Sequence, residues 1–193
     1  DTTLEKLATL QPAFDKRSGQ GTLTAGNSTN LSDGASAALL SSEAWAQANG
    51  KEIQAYLVDA QVAAVDFVAG EGLLMAPAWA VAQLLKRNNL KLQDFDFYEI
   101  HEAFAAQVLC TLKAWESDEF CKTKLGMDGA LGSIDRSKLN VVGSSLALGH
   151  PFAATGARIV ATAAKLLKEK GQGRVLISIC TAGGMGVAAI VER

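Results

Sequence analysis

Apolar residues recur along this chain at two spacings, and each change between them marks an element. Val175-Leu176-Ile177-Ser178-Ile179-Cys180 is a nearly unbroken apolar run of strand length, which suits a strand covered on both faces. Val187 to Val191 repeats that pattern after the turn Thr181-Ala182-Gly183-Gly184-Met185-Gly186, so the pair predicts an antiparallel hairpin. Ile53 to Val65 is rich in β-branched residues and predicts a strand. Phe95 to Ile100 alternates and predicts another, with His101 just past its end, and Ala35 to Leu40 predicts a further buried one. Helical spacing carries the rest. Ile159, Val160, Ala163, Leu166 and Leu167 form one stripe on a helix that opens at Pro151, carries Lys168 and Lys170 in its last turn and stops at Gly171. Pro77 opens a second helix through Leu84 and Leu85 to Arg87, and Phe104, Val108, Leu112 and Trp115 stripe a third. Ser42 to Asn49 predicts a short helix capped by its serine and ended by Gly50, and residues 1–20 a short helix and lead-in loop. Residues 116–139, charged and glycine-broken, predict a surface excursion. Helices alternating with strands favour an α/β fold with parallel pairing before the closing hairpin.

Composition narrows the class. A chain of 193 residues, 49% of them hydrophobic, can bury one substantial core. Charges interrupt every long apolar run, which argues against a transmembrane helix. A net charge of −2 gives no general attraction to nucleic acid or to an anionic membrane. Cys110, Cys121 and Cys180 are odd in number and lack metal-type spacing, so they predict free thiols in a reducing compartment and no bound metal. Asp1 to Leu10 does not resemble a signal or transit peptide, and neither repeats nor low-complexity tracts occur.

Four places carry candidate chemistry. His150 stands between Gly149 and Pro151 at a helix entrance, where the positive end of the helix dipole favours neutral imidazole; such a ring can take a proton or donate an N–H. A surface-loop histidine would look the same. His101 and Glu102 lie at a strand's C-terminal end, the edge where open α/β sheets place ligands, although Glu102 would equally well cap the next helix. Cys180 ends a buried strand before a glycine-rich turn, a setting that also fits an inert core thiol. The loop from Gly21 to Ala35 is rich in hydroxyl and amide side chains able to meet a polar ligand, or simply to form turns.

The longest of these motifs carries a family resemblance. Leu148-Gly149-His150-Pro151 with Ala154-Thr155-Gly156-Ala157-Arg158 resembles the G-H-P-x-G-A-T-G-A-R signature of thiolases, the 3-ketoacyl-CoA acyltransferases, with Ala153 where glycine is usual. Gly21-Thr22-Leu23-Thr24-Ala25-Gly26-Asn27-Ser28 followed by Asp33-Gly34-Ala35 is similar to the start of the thiolase C-terminal half. Cys180-Thr181-Ala182-Gly183-Gly184 resembles its C-x-G-G-G motif with Ala182 for the first glycine. His101-Glu102-Ala103-Phe104-Ala105 stands where thiolases have N-E-A-F-A. The His-for-Asn change, with Ala106-Gln107 and Ala76-Pro77-Ala78-Trp79, resembles the thiolase subunit of the fatty-acid oxidation trifunctional complex and its bacterial relatives.

The resemblance spans essentially the whole chain but only the C-terminal half of a thiolase. It implies a lead-in segment at 1–20 and a C-terminal domain at 21–193, built on a mixed five-stranded sheet with helices on both faces. It implies thiolytic cleavage of 3-ketoacyl-CoA by coenzyme A, used as a substrate rather than a bound cofactor, or the reverse condensation. His150 would be the general base and Cys180 the proton exchanger at the acetyl carbon. His101 would supply an N–H to an oxyanion, and Glu102 would orient it. Thr29 would meet the pantetheine arm, Met75 the acyl chain, and Ala182 with Gly183 would offer backbone N–H groups. None of the three cysteines stands in the family's nucleophile context, so the resemblance implies an N-terminal half as partner and an isolated chain without turnover. It further implies a homo-oligomer, a β-oxidation multienzyme partner, and a bacterial cytoplasmic or mitochondrial matrix location. A ketosynthase-type condensing enzyme and a non-catalytic CoA-binding or scaffolding subunit are the alternatives.

Overall fold

The computed structural model describes residues 2–193. Its elements in chain order are α1 (Leu4–Ala8), α2 (Glu43–Ala48), β1 (Tyr56–Ala64), α3 (Ala76–Asn88), β2 (Phe97–Ile100), α4 (Ala105–Glu116) and α5 (Asp118–Thr123). A 3₁₀ turn (Arg136–Lys138), α6 (Ser145–Leu148), α7 (Ala153–Lys170), β3 (Arg174–Thr181) and β4 (Met185–Glu192) complete the chain. The strands form one sheet in the order β1-β4-β3-β2. β4 pairs antiparallel with both β1 and β3, and β2 pairs parallel with β3.

Period-two alternation divides the sheet between two cores. Tyr98, Ile100, Leu176, Ala188 and Ile190 point toward α3 and α4, where they pack with Leu84, Leu85, Val108, Leu112 and Trp115. Val175, Ile177, Ala189 and Val191 point the other way and meet Ile159, Ala163 and Leu167 of α7. Helices therefore cover both faces. α3 begins as its proline suggests and ends at Asn89 in the left-handed conformation, φ 51°.

Three expectations need correction. The sheet has four strands among the described residues rather than five, because Ala35 to Leu40 is not a strand. That segment finds no ladder partner and runs exposed across the start of α7, tied there by Ser36 Oγ donating to the Ala154 carbonyl. An apolar run satisfies its backbone as a strand only when a partner offers free edge groups. The excursion at 116–139 is more structured than its charge suggests. It contains α5, capped by Ser117, and buries Cys121 completely against the Ala114 and Trp115 carbonyls. Finally, α7 opens at Ala153 rather than at Pro151, and a short extra helix, α6, precedes it. Phe152, at the N-cap with φ 39°, turns the chain between His150 and the helix.

Candidate active site

The C-terminal ends of β2 and β3 are where the chain gathers its candidate groups. His101 follows β2 directly, and its N–H extends the ladder by donating to the Ser178 carbonyl at 2.9 Å. This fixes the ring under the loop that leads into α7, where it is 1% exposed. His150 comes from that loop. Its backbone N–H donates to the Asn30 carbonyl at 3.0 Å, and Leu31 pairs with it as an isolated bridge. Gly149, at φ 90°, makes this approach possible, since a Cβ there would collide with Ser32 Oγ. The two imidazoles meet with ring centroids 4.2 Å apart.

Each ring has one anchored nitrogen. His150 Nδ1 lies 2.7 Å from Thr155 Oγ1, on the first turn of α7. His101 Nδ1 lies 2.8 Å from Ser145 Oγ, which also accepts from Arg158 Nη2 at 3.0 Å. His101 Nε2 is buried and has no protein partner. Burial lowers the His101 pKa to about 4, helped by the unfavourable pairing of a second charge with the His150 ring and with Arg158. Half-buried His150 is shifted down as well, by burial first and by Arg158 second. Burial thus favours the neutral form of both rings. The start of α7 lies away from the His150 backbone, at Ala153 beyond the Phe152 turn.

Glu102 does not cap α4, whose N-cap is Phe104. Its carboxylate accepts from Asn140 Nδ2 at 2.7 Å and from the Leu146 N–H at 3.1 Å. Asn140, with φ 48°, also brackets Ile100 through its side-chain amide, accepting from the Ile100 N–H and donating to its carbonyl, each at 2.9 Å. Glu102 and Asn140 thus tie the β2 loop to the α6 segment. The group that touches the His101 ring is Ser145, not Glu102. Thr29 belongs to the same clasp: its hydroxyl donates to the Ser145 carbonyl at 2.7 Å and its N–H to the Ala103 carbonyl at 3.0 Å.

Cys180 lies on β3, 7% exposed, with Sγ–H donating to Gln107 Oε1 at 3.5 Å. Burial pushes its thiol up to about 11, against a smaller opposing effect of the nearby Ala103 N–H. That N–H belongs to the loop carrying His101, so Cys180 faces the same loop from below. Cys110 is exposed on α4. In the following turn Gly183 and Gly184 take the positive φ values, 80° and 75°, and Ala182 does not, so an alanine fits its position without strain. A Cβ on Gly184 would sit 2.6 Å from the Val65 carbonyl oxygen. Met75 precedes α3 and packs against the α3–α4 core, while the neighbouring Leu73 is exposed.

Comparison with known proteins gives this arrangement a family. The thiolase C-terminal domain matches residues 51–193 and the thiolase N-terminal domain matches residues 1–44. The chain belongs to the thiolase family. It is 46% identical over 192 residues to the 3-ketoacyl-CoA thiolase of Shewanella loihica, a match covering all of this chain and 43% of that protein. The crystal structure of the Bacillus anthracis acetyl-CoA acetyltransferase superposes with a TM-score of 0.81 at 39% identity. That of human mitochondrial 3-ketoacyl-CoA thiolase gives 0.78 at 31%; each match again covers the whole chain and 43% of the other. The chain thus spans less than half the length of these thiolases.

Residue reading singled out both histidines, Glu102 and Cys180 but missed what holds them. Thr155 and Arg158 sat inside the quoted motif without a role, and Ser145, Asn140 and Gln107 went unassigned. The Ser144-Ser145 pair before an apolar turn was the one available cue. No helix among the described residues is long and apolar enough to cross a membrane, and no cluster of three or more His, Cys, Asp or Glu could hold a metal.

Proposed function

We propose that this chain supplies the base and the proton exchanger of a 3-ketoacyl-CoA thiolase, with coenzyme A as substrate and no permanently bound cofactor. The observation that carries the reading is the contact between two imidazoles at 4.2 Å, beside a loop whose underside holds the buried Cys180 thiol. His150 donates from Nδ1–H to Thr155 and keeps a lone pair on Nε2 for base work. That lone pair takes the proton of a nucleophilic cysteine thiol. The thiolate attacks the 3-keto carbon, and the C2–C3 bond breaks to leave an acyl-thioester and the enolate of acetyl-CoA. Cys180, whose raised pKa keeps its proton in place, delivers that proton to C2. The proton held on His150 passes to the Cys180 thiolate, which leaves the imidazole free to deprotonate the incoming CoA thiol. The resulting CoA thiolate takes the acyl group, and the released nucleophile recovers its proton from His150. His101 donates to the oxyanion.

Cys121 is sealed in the core, Cys110 lies on the exposed face of α4, and Cys180 is occupied as proton exchanger, so the nucleophile comes from outside these residues. The partner is a thiolase N-terminal half. Exposed Leu39, Leu40, Val62 and Phe152 support a large apolar contact with that half and a homo-oligomer built on it. We keep residues 21–193 as one unit with a lead-in at 1–20, supported by the links from Thr29, Asn30 and Leu31 to Ser145 and His150. Thr29, Ala182 and Gly183 line the CoA side in this reading, Met75 the acyl side, and Glu102 acts through the loop it braces. A β-oxidation partner and a bacterial cytoplasmic or mitochondrial matrix setting are supported by the Shewanella and human mitochondrial relatives.

The test joins this chain to the remaining portion of the Shewanella loihica enzyme and follows cleavage of acetoacetyl-CoA and longer 3-ketoacyl-CoA by CoA. The chimera turns over, the 193-residue chain alone does not, and Cys180→Ala abolishes cleavage of 3-ketoacyl-CoA while leaving acylation of the nucleophile by acetyl-CoA measurable. A folded chimera that binds CoA without turnover sinks the catalytic reading in favour of a binding subunit.

A further inference from the structure

Ser145 Oγ sits between a guanidinium and an imidazole, 3.0 Å from Arg158 Nη2 and 2.8 Å from His101 Nδ1. Guanidinium only donates, so Arg158 occupies a lone pair of this oxygen. The hydroxyl still has its own proton to place. Ser145 is fully buried, and His101 Nδ1 is the one acceptor in its hydrogen bonds among the described residues. Placing that proton there requires a lone pair on Nδ1, which leaves the ring proton on Nε2, the nitrogen that is buried without any protein partner. The opposite tautomer would strand the serine proton and turn Nε2 into a second acceptor facing His150.

We propose that Arg158 and Ser145 are positioning residues that lock His101 as its Nε2–H tautomer, so that the ring presents a fixed N–H donor beside His150. The assignment rests on the thiolase reading only for what the donor serves, an oxyanion of the acyl group; the tautomer is a property of the free chain. Arg158, though half-buried as a residue, holds its guanidinium inside the fold and so can act as the source of the relay. Its Nε and Nη1 lie beyond solvent, and the carboxylate of Glu99, buried on the same strand as the β2 end, feels its field. His150 and Arg158 both oppose protonation of His101, which preserves the neutral form the relay needs.

His101 and His150 are the only histidines, so labelling the full chain with ¹⁵N-histidine yields two imidazoles, assigned by a His150→Gln variant. Long-range proton–nitrogen correlation near pH 7, without substrate, identifies which nitrogen carries each proton. The expected result is a single Nε2–H form for His101. In Ser145→Ala that form gives way to a mixture of tautomers, and Ser145→Thr, which keeps the hydroxyl, restores it. An Nδ1–H form or a mixture in the unsubstituted chain overturns the proposal, with no variant needed. A Ser145→Ala spectrum identical to that of the unsubstituted chain overturns it equally. Because no turnover is measured, failure here is separate from failure of the catalytic reading.

Discussion

The two sides of this molecule treat buried polarity differently. Among the described residues, Tyr98 and the buried polar side chains of α4 all have partners. The Tyr98 hydroxyl donates to the Leu92 carbonyl at 2.8 Å, Trp115 Nε1 to Ala78 at 3.4 Å, and Gln107 Nε2 to Thr111 at 3.0 Å. At the C-terminal ends of β2 and β3 and in the segment above them, Glu99, His101, Ser144, Arg158 and Ser178 all carry buried atoms without partners. An unmade hydrogen bond in a buried site costs about 1–3 kcal/mol. The first region is built to hold the fold, and the second keeps donors and acceptors free at a structural cost. This concentration of free polarity supports the proposed site independently of any motif.

Four measurements would break or sharpen that contrast. His150→Ala in the active chimera should lower turnover by about 10²–10⁴-fold, since it removes the base from both half-reactions. Its urea midpoint should stay near that of the unsubstituted protein, and a parallel loss of stability would erase the distinction. Trp115→Ala, at a fully buried site, should destabilise by about 3–5 kcal/mol in equilibrium urea unfolding. A cost below about 1 kcal/mol would mean that the α3–α4 side is not the keystone.

The third measurement concerns pH. Burial raises the Glu99 pKa to about 7, so the folded state holds a proton that the unfolded chain releases above its ordinary 4.5, and stability falls as pH rises between those values. His101, lowered to about 4 from 6.5, works in the opposite sense: the unfolded chain takes a proton first, so stability falls as pH drops from 6.5 toward 4. The two slopes oppose each other between pH 4.5 and 6.5, so the unsubstituted chain should show only a shallow slope there, in the sense set by His150, whose pKa is lowered like that of His101. Glu99→Gln should uncover the histidine slope, with stability rising by up to ~3 kcal/mol across that window. His101→Gln should show the reverse slope. Flat profiles in both variants would mean that neither group is desolvated as its position implies. The smallest effect belongs to the surface. Removing the exposed Lys168–Glu52 pair, whose nitrogen and oxygen lie 2.6 Å apart, should leave the urea midpoint unmoved.

Most of the frame was legible in the chain. The hairpin of β3 and β4, the proline start of α3 and the stripe of α7 follow from periodicity and caps, which act locally. Ala35 to Leu40 misled because its apolar run resembles a strand, and whether it pairs depends on edges supplied by distant residues. Cys121 misled for a related reason: the charged neighbours face solvent while one thiol turns inward beneath α4. Both histidines were visible as separate features. Their contact was not, because it depends on the Phe152 turn and on residues 30 and 31 crossing to hold His150. Ser145 and Arg158 carry no motif of their own for this task, since their role exists only through the geometry of a shared oxygen.

The place of β4 between β1 and β3 has a consequence for how the sheet assembles. β1 has no partner other than β4, and Tyr56 meets Glu192 well over a hundred residues downstream. During synthesis β1 leaves the ribosome long before that partner exists, so Leu57, Val58 and Val62 travel as an unpaired apolar edge until residues 185–192 have been made. Loss of β4 therefore splits the sheet, leaving β1 without its strand partner and β3 with an open side.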